Sequence, residues 1–259
     1  MDLAPRTVTA RATTISLALL LLLTLSSCAG LSRSVDQSGT EDESGAQHDP
    51  WERYNRAMFR FNDKLDRAVV KPVAAGYTRI VPTFMRRGVN NFFSNLLEPT
   101  TVINAVLQGK IKRAAASTGR FLTNTTIGFL GLLDVAKHLG LEKHREDFGQ
   151  TLAVWGFPQG PYLILPFLGP STARDGIGLI PFYLYTDLRT QLNTTESLIA
   201  VTINVIDTRG GLLGSDRLLQ LQLDPYVFLR ESYVQQRNSL IYDGSPPLED
   251  YDDEAFEND

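Results

Sequence analysis

Between Trp51 and Val69 the apolar residues Trp51, Tyr54, Met58, Phe61, Leu65 and Val69 recur at intervals of three and four. That spacing predicts an amphipathic helix, with its aromatic stripe expected in the core. Asp49 is placed to cap it, with Pro50 at the first position and Glu52 in the capping-box place. Pro72 is expected to stop it. A second helical pattern over 99–126 sets Ile103, Val106, Leu107, Ile111, Ala115 and Phe121 near one face. "ESLIAVTINVID" (196–207) predicts another helix. "DPYVFLRESYVQQRNSLIYDG" (224–244) predicts one more, with Asp224 as cap, Pro225 at its first position and Gly244 closing it. No sustained run of alternating residues bounded by turn signals occurs, so the pattern predicts an all-α domain with long irregular connections.

Two stretches do not fit a water-soluble helix. In "IGFLGLLDVAKHLGL" (127–141) the first seven residues are all apolar or glycine and leave no solvent face. Gly128 and Gly131 would each cost about 1 kcal/mol against alanine in an ordinary helix. In "WGFPQGPYLILPFLGPSTARDGIG" (155–178), Pro166 argues against a central strand and two Gly-Pro pairs argue against one long helix. A kinked apolar segment of nearly fixed shape remains. Two readings stay open for both stretches: buried core, or contact with lipid. On the second reading, Phe129, Leu130, Leu132, Leu163, Leu165 and Phe167 are the candidate lipid path. Ten helical residues rise about 15 Å, half of a hydrocarbon core of roughly 30 Å, so such elements suit one leaflet better than a full span.

The N-terminus sharpens this. Arg6 and Arg11 precede "ISLALLLLLTL", an apolar run of signal-peptide length that is too short to span a bilayer. Leu25-Ser26-Ser27-Cys28 follows and reads as a lipobox around the single cysteine of the chain. Cys28 is therefore expected to carry a thioether-linked diacylglycerol and an N-acyl chain, which together anchor firmly where one chain would not. Ala29, in place of the aspartate that commonly retains lipoproteins at the inner membrane, favours the outer one. The expected organisation is a signal peptide over 1–27, a lipidated flexible tether over 28–48, a helical domain over 49–244 and a disordered acidic tail over 245–259.

The net charge of −4 is unevenly spread, with seven acidic residues and no basic ones in "EDYDDEAFEND" (249–259). The tether is acidic too, which leaves the body mildly basic and suited to a surface near anionic lipid. No dense Lys/Arg cluster speaks for nucleic acid. With one cysteine there is no disulfide framework.

Candidate catalytic chemistry is sparse. His138 and His144 are six apart, off the spacing that puts two ligands on one helix face, and with Glu142 and Glu146 they read better as a solvated charged turn than as a metal site. "GPSTA" around Ser171 departs from the nucleophile elbow. Arg174 and Asp175 read as a local ion pair or helix cap. No P-loop or dinucleotide-binding pattern appears, and no cofactor is expected.

"DPWERYNRAMFRFNDKLD", "NFFSNLLEP", "RFLTNTTIGFLGLLDVA", "FGQTLAVWG" and "GPYLILPFLGPSTARDG" resemble, in order, the successive signatures of the VacJ/MlaA lipoproteins, and "DPYVFLRESYVQQR" resembles their C-terminal helix. The resemblance implies a mainly helical ring in the inner leaflet of the outer membrane, with an amphipathic channel. It implies removal of phospholipids that have strayed into the outer leaflet, and their delivery to a soluble periplasmic carrier and then to an ATP-driven inner-membrane complex. A trimeric porin is the implied membrane partner. The alternatives are an outer-membrane phospholipase, and a structural lipoprotein bracing a porin.

Overall fold

The computed structural model of the chain describes residues 49–182 and 193–247, all within one compact unit. The expected signal peptide, Cys28, the tether and the tail beyond residue 247 lie outside the described residues. The elements are α1 (Glu52–Leu65), a π-helical stretch (Asp66–Val70), α2 (Lys71–Ile80), α3 (Thr83–Leu107), α4 (Ile111–Thr126), α5 (Val135–His138), α6 (Phe148–Val154), β1 (Tyr162–Leu165), β2 (Gly169–Thr172), α7 (Ala173–Pro181), α8 (Thr194–Leu212), a 3-10 turn (Leu213–Ser215), α9 (Asp216–Gln220) and α10 (Pro225–Ile241). The chain is mainly helical, and no described helix is long and apolar enough to cross a membrane.

The first helix differs from expectation at both ends. Asp49 accepts a hydrogen bond from the Trp51 amide (2.9 Å), but the helix begins only at Glu52. The Glu52 carboxylate pairs with Arg56 at 2.6 Å instead of closing a capping box. Pro72 does not stop the helix. It enters through the π-helical stretch, where the Lys71 amide bonds to Asp66 O, five residues back, and Pro72 then sits in the first turn of α2, where its missing N–H costs least. The break falls at Val81, which is extended (ψ 118°) as the residue before Pro82 must be.

The expected helix over 99–126 is two helices. Gly109, at φ +74°, ends α3, and the Lys110 amide closes back on Ala105 O at 2.8 Å. Upstream, α3 passes through Pro99 and begins sixteen residues earlier. α3 and α4 pack side by side, and α2 crosses α8 closely at Gly210, where a Cβ would lie 2.9 Å from Thr78 Cγ2.

The apolar segment after Trp155 holds the chain's two-stranded antiparallel sheet, with Tyr162 opposite Thr172 and Leu165 opposite Gly169. The all-α expectation stands as a mainly helical fold, to which the described residues add one hairpin. Proline does not forbid it: Pro166 lies in the turn, and in a two-stranded sheet both strands are edges, where Pro170 need not donate. The last helix follows its signals. Asp224 accepts from the amides of Tyr226 and Val227, and Gly244 (φ +89°) closes the end.

Candidate functional site

The interior is unusually polar. Among the described residues, eight apolar side chains are buried, four of them alanines, against twenty polar or charged ones. A water-exposed helix hides its apolar face, but α3 and α4 do the reverse. Thr100, Thr101, Asn104, Ser117, Arg120 and Asn124 are buried, while Ile103, Val106, Leu107, Ile111 and Leu122 are exposed. The stripe on α1 turns the same way, with Trp51, Tyr54, Phe61 and Val69 outside and Asn55 fully buried. The expectation that the aromatic stripe on α1 lies in the core is therefore corrected, although Met58 of that stripe does pack partly buried against it. Periodicity finds a face; whether that face turns inward depends on the surrounding solvent.

Buried polar groups need partners, and they find them in networks joining distant segments. Arg120 donates to Glu98 (2.9 Å), to Leu141 O (2.8 Å) and to both oxygens of Asp134 (3.0 and 3.1 Å). Asn124 donates to Asp134 and accepts from the Ala136 amide. Burial would raise the Asp134 carboxyl, but Asn124 and Arg120 outweigh it and hold the group below its ordinary value. A second network centres on Arg237. It grips Asp147 with two nitrogens (2.6 and 3.0 Å) and reaches Asp175 at 2.9 Å, which also accepts from Tyr233 at 2.8 Å. Arg174 lies farther from Asp175, at 3.4 Å, so the expected local pair is the weaker part of a long-range cluster. Glu146, one of the charged-turn residues, is buried and paired with Lys110 and Arg113.

Two apolar projections stand out from this polar interior. The first is the turn over 127–133. Phe129 and Leu130 both have positive φ (52° and 59°), and they are 71% and 66% exposed. Bulky residues rarely hold that conformation, so the surroundings must fix it. A Cβ on Gly128 would lie 2.3 Å from Leu133 O, and one on Gly131 would lie 2.6 Å from Asn95 Cβ. Asn91 binds Leu132 O at 3.1 Å. The second projection is the hairpin tip, where Phe167 (73% exposed) meets Phe61 edge-on with ring centroids 5.3 Å apart. Asn62 donates to Leu165 O (3.0 Å) and accepts from the Phe167 amide (2.9 Å). Of the six candidate residues, Phe129, Leu130 and Leu132 share the turn. Leu163 and Leu165 are half-buried in β1, and Phe167 stands at the tip. The two groups stand on different supports, the first on α3 and α4, the second on α1.

Sequence reading missed a cavity of about 510 Å³ between the hairpin, α1 and the segments from α8 to α10. Phe59, Ile164, Leu212, Leu219, Phe228 and Leu229 make much of its wall, and Asp63, Asp66, Arg209 and Asp216 make one polar side. Its size falls within the range of about 300–1,000 Å³ typical of small-molecule sites. Arg209 bridges Asp66 (2.7 Å) and Asp216 (2.8 Å), and its Nη1 has no hydrogen-bond partner among the described residues. Burial would raise Asp216, but Arg209 and Lys71 hold it below its ordinary value. An apolar chamber with one charged wall can hold an amphiphile with its polar end toward the charges. No sequence signal announced it, because Asp66 and Arg209 are far apart along the chain. The pattern over 196–207 predicts only a helix, yet Leu198, Ile199, Ile203 and Val205 on α8 are all exposed.

The family described as MlaA lipoprotein matches residues 47–240. The Escherichia coli (strain K12) protein named intermembrane phospholipid transport system lipoprotein MlaA is 38% identical over 229 residues, covering 86% of this chain and 89% of that one. Its Haemophilus influenzae counterpart of the same name is 32% identical over 237 residues, 89% and 91% of the two chains. An uncharacterized Rickettsia typhi protein is 36% identical over 208 residues, 79% and 83%. A solved chain from work on the structural basis for maintenance of bacterial outer membrane lipid asymmetry superposes with a TM-score of 0.68 at 38% identity. It covers 75% of this chain and all of that one.

Proposed function

We propose, from the premise that this chain belongs to the MlaA lipoprotein family, that it carries out intermembrane phospholipid transport and maintains the lipid asymmetry of the outer membrane. The protein takes mislocalised phospholipid from the outer leaflet and passes it through an amphipathic channel, within a ring-like domain, toward the periplasm. Cys28, with its diacylglycerol and N-acyl chain, anchors it in the periplasmic leaflet. A trimeric porin is its membrane partner, and a soluble periplasmic carrier receives the lipid.

The observation that carries this reading is the reversed burial. A polar, ion-paired interior surrounded by exposed leucine, isoleucine and phenylalanine fits a protein bathed by hydrocarbon at its sides. In lipid there is no hydrophobic drive to bury such residues, and packing relies on small and polar groups. Ala105, Ala114, Asn104 and Ser117 on the facing helices α3 and α4 are of that kind. The cavity beside Arg209 offers apolar walls for acyl chains and a charged side for a head group, which would otherwise be desolvated at a cost of several kcal/mol.

The test is direct. The full chain, purified in mild detergent, should carry intact phospholipid by mass spectrometry and hand it to a soluble acceptor. In cells lacking it, surface-exposed phospholipid should rise, and the chain should restore the wild-type level. Release of free fatty acid by the pure protein would replace transport with phospholipase activity. Absence of both lipid and fatty acid would leave a structural brace.

A further inference from the structure

The outer face of α1 holds cations that no carboxylate among the described residues neutralises. Taken at 100° per residue, Arg53, Arg60 and Lys64 lie within an arc of about 40°. All three are exposed, and none has a carboxylate partner among the described residues. The acidic residues of the same helix are already engaged, Glu52 with Arg56 at 2.6 Å and Asp63 with Arg67 at 2.9 Å. The surplus is therefore three positive charges on one stripe.

Beside that stripe stands an apolar knob. Phe61 is next to Arg60 in sequence and meets Phe167, and Leu168 of the same hairpin tip is also exposed. Asn62, one position further along, fixes the tip by its two bonds to Leu165 O and the Phe167 amide. At the other end of the helix, Trp51 and Tyr54 are half-exposed and meet edge to face. Aromatic residues of this kind favour the membrane–water interface, where ring and polar edge have different neighbours.

We propose that the outer face of α1 and the hairpin tip form one interfacial binding surface for anionic phospholipid, with Phe61, Phe167 and Leu168 among the acyl chains and Arg53, Arg60 and Lys64 at the phosphates. The inference rests on the transport reading, and it names the charge class of lipid that this face selects. Charge complementarity sets the occupant. Each cation near an anionic surface contributes attraction that salt weakens, whereas an apolar knob alone would not distinguish head groups.

The experiment uses the full chain reconstituted into vesicles. Trp51→Phe and Trp155→Phe remove the native tryptophans, and Phe167→Trp places a reporter at the tip. Quenching by phospholipid brominated on its acyl chains is compared between phosphatidylethanolamine alone and phosphatidylethanolamine mixed with phosphatidylglycerol. Quenching should deepen with phosphatidylglycerol and the gain should vanish in high salt. It should also vanish in the same protein carrying Arg60→Glu and Lys64→Glu, with the melting temperature unchanged. Equal quenching in both vesicles would overturn the charge selection, and no quenching in either would overturn the surface. Arg60→Gln with Lys64→Gln serves if the charge reversal fails to fold, and should again lose the gain. Surface phospholipid in cells is measured separately. Loss of transport with the quenching pattern intact would count against the transport reading alone.

Discussion

Asn55 and Asn62 stand seven residues apart on one face of α1, and each holds the hairpin through one donor and one acceptor. Asn55 donates to Tyr162 O (2.9 Å) and accepts from the Ile164 amide (2.8 Å), as Asn62 does for Leu165 and Phe167. Seven helical residues rise about 10.5 Å, close to the advance of three residues along a strand, so a helix and an extended chain stay in step. Asn55 also donates to Asp49, which accepts from the Tyr226 hydroxyl, so α10 joins the same clamp.

Asn55→Ala should therefore destabilise the fold by about 2–4 kcal/mol, because it strands a buried amide and a carbonyl of β1. Asn62→Ala should cost about 1 kcal/mol, since its partners are partly solvated. Denaturant unfolding in detergent gives both values. Hydrogen exchange at the Phe167 amide should speed up in Asn62→Ala before the rest of the hairpin is affected.

Arg237→Ala removes the cation shared by Asp147 and Asp175, leaving Asp147 with Gln150 and Asp175 with Tyr233 and the more distant Arg174, and should cost about 3 kcal/mol. The same cluster sets an acid limit. Burial would raise the Asp147 carboxyl, but Arg237 and Gln150 hold it below its ordinary 3.8. A depressed folded-state value means that its contribution is present in full above the unfolded value and is lost as pH falls through the folded one. Melting temperature should accordingly drop below about pH 3.8. Asp147→Asn should be less stable at neutral pH and should show a shallower fall in acid.

Leu130→Lys should leave stability in detergent within about 0.5 kcal/mol, as a surface change does. It should weaken association with membranes and raise surface phospholipid in cells. Ile164→Lys should instead sharply lower the yield of folded protein, because Ile164 is 1% exposed and a buried ammonium there is costly to desolvate. If Leu130→Lys also destroys the fold, the turn belongs to the core.

Gly131→Ala should distort the turn over 127–133. It combines a φ of +93° with a Cβ 2.6 Å from Asn95, and melting temperature together with exchange at the Leu132 and Leu133 amides will register it.

Truncation after Gly244 should change melting temperature little, whereas truncation before Asp243 should lower it. Asp243 pairs with Lys110 and Arg113, both at 2.6 Å, and ties the end of α10 to the start of α4.

What the sequence disclosed was local. The Asp224-Pro225 start and the Gly244 end of α10 are signals read within a few residues, and both stand in the structure. The apolar character of 127–133 was also legible. Which way a stripe faces was not: Ile103 and Asn104 are neighbours on α3, and only the surrounding medium decides which is inside. Nor were the ionic networks legible, since Asp147 and Arg237 are 90 positions apart. The hairpin was hidden by Pro166 and Pro170, whose cost in a wide sheet disappears in one of two strands. The cavity wall needed α8 to be brought against the π-helical stretch after α1 through Arg209 and Asp66, which no spacing encodes.

The π-helical stretch Asp66–Val70 acts as a phase shift in a rod. One extra residue in a turn rotates everything downstream by about 100° against what a regular helix would present. Upstream, the rod presents Asn55 and Asn62 to the hairpin; downstream, it presents Ala74 and Tyr77 to α8, where Tyr77 donates to Asp207 at 2.8 Å. Removing one residue from 66–70 would restore a regular spiral, and no single orientation of that spiral could then serve both neighbours. The helix can keep its length and every one of its apolar residues and still lose either the hairpin or α8.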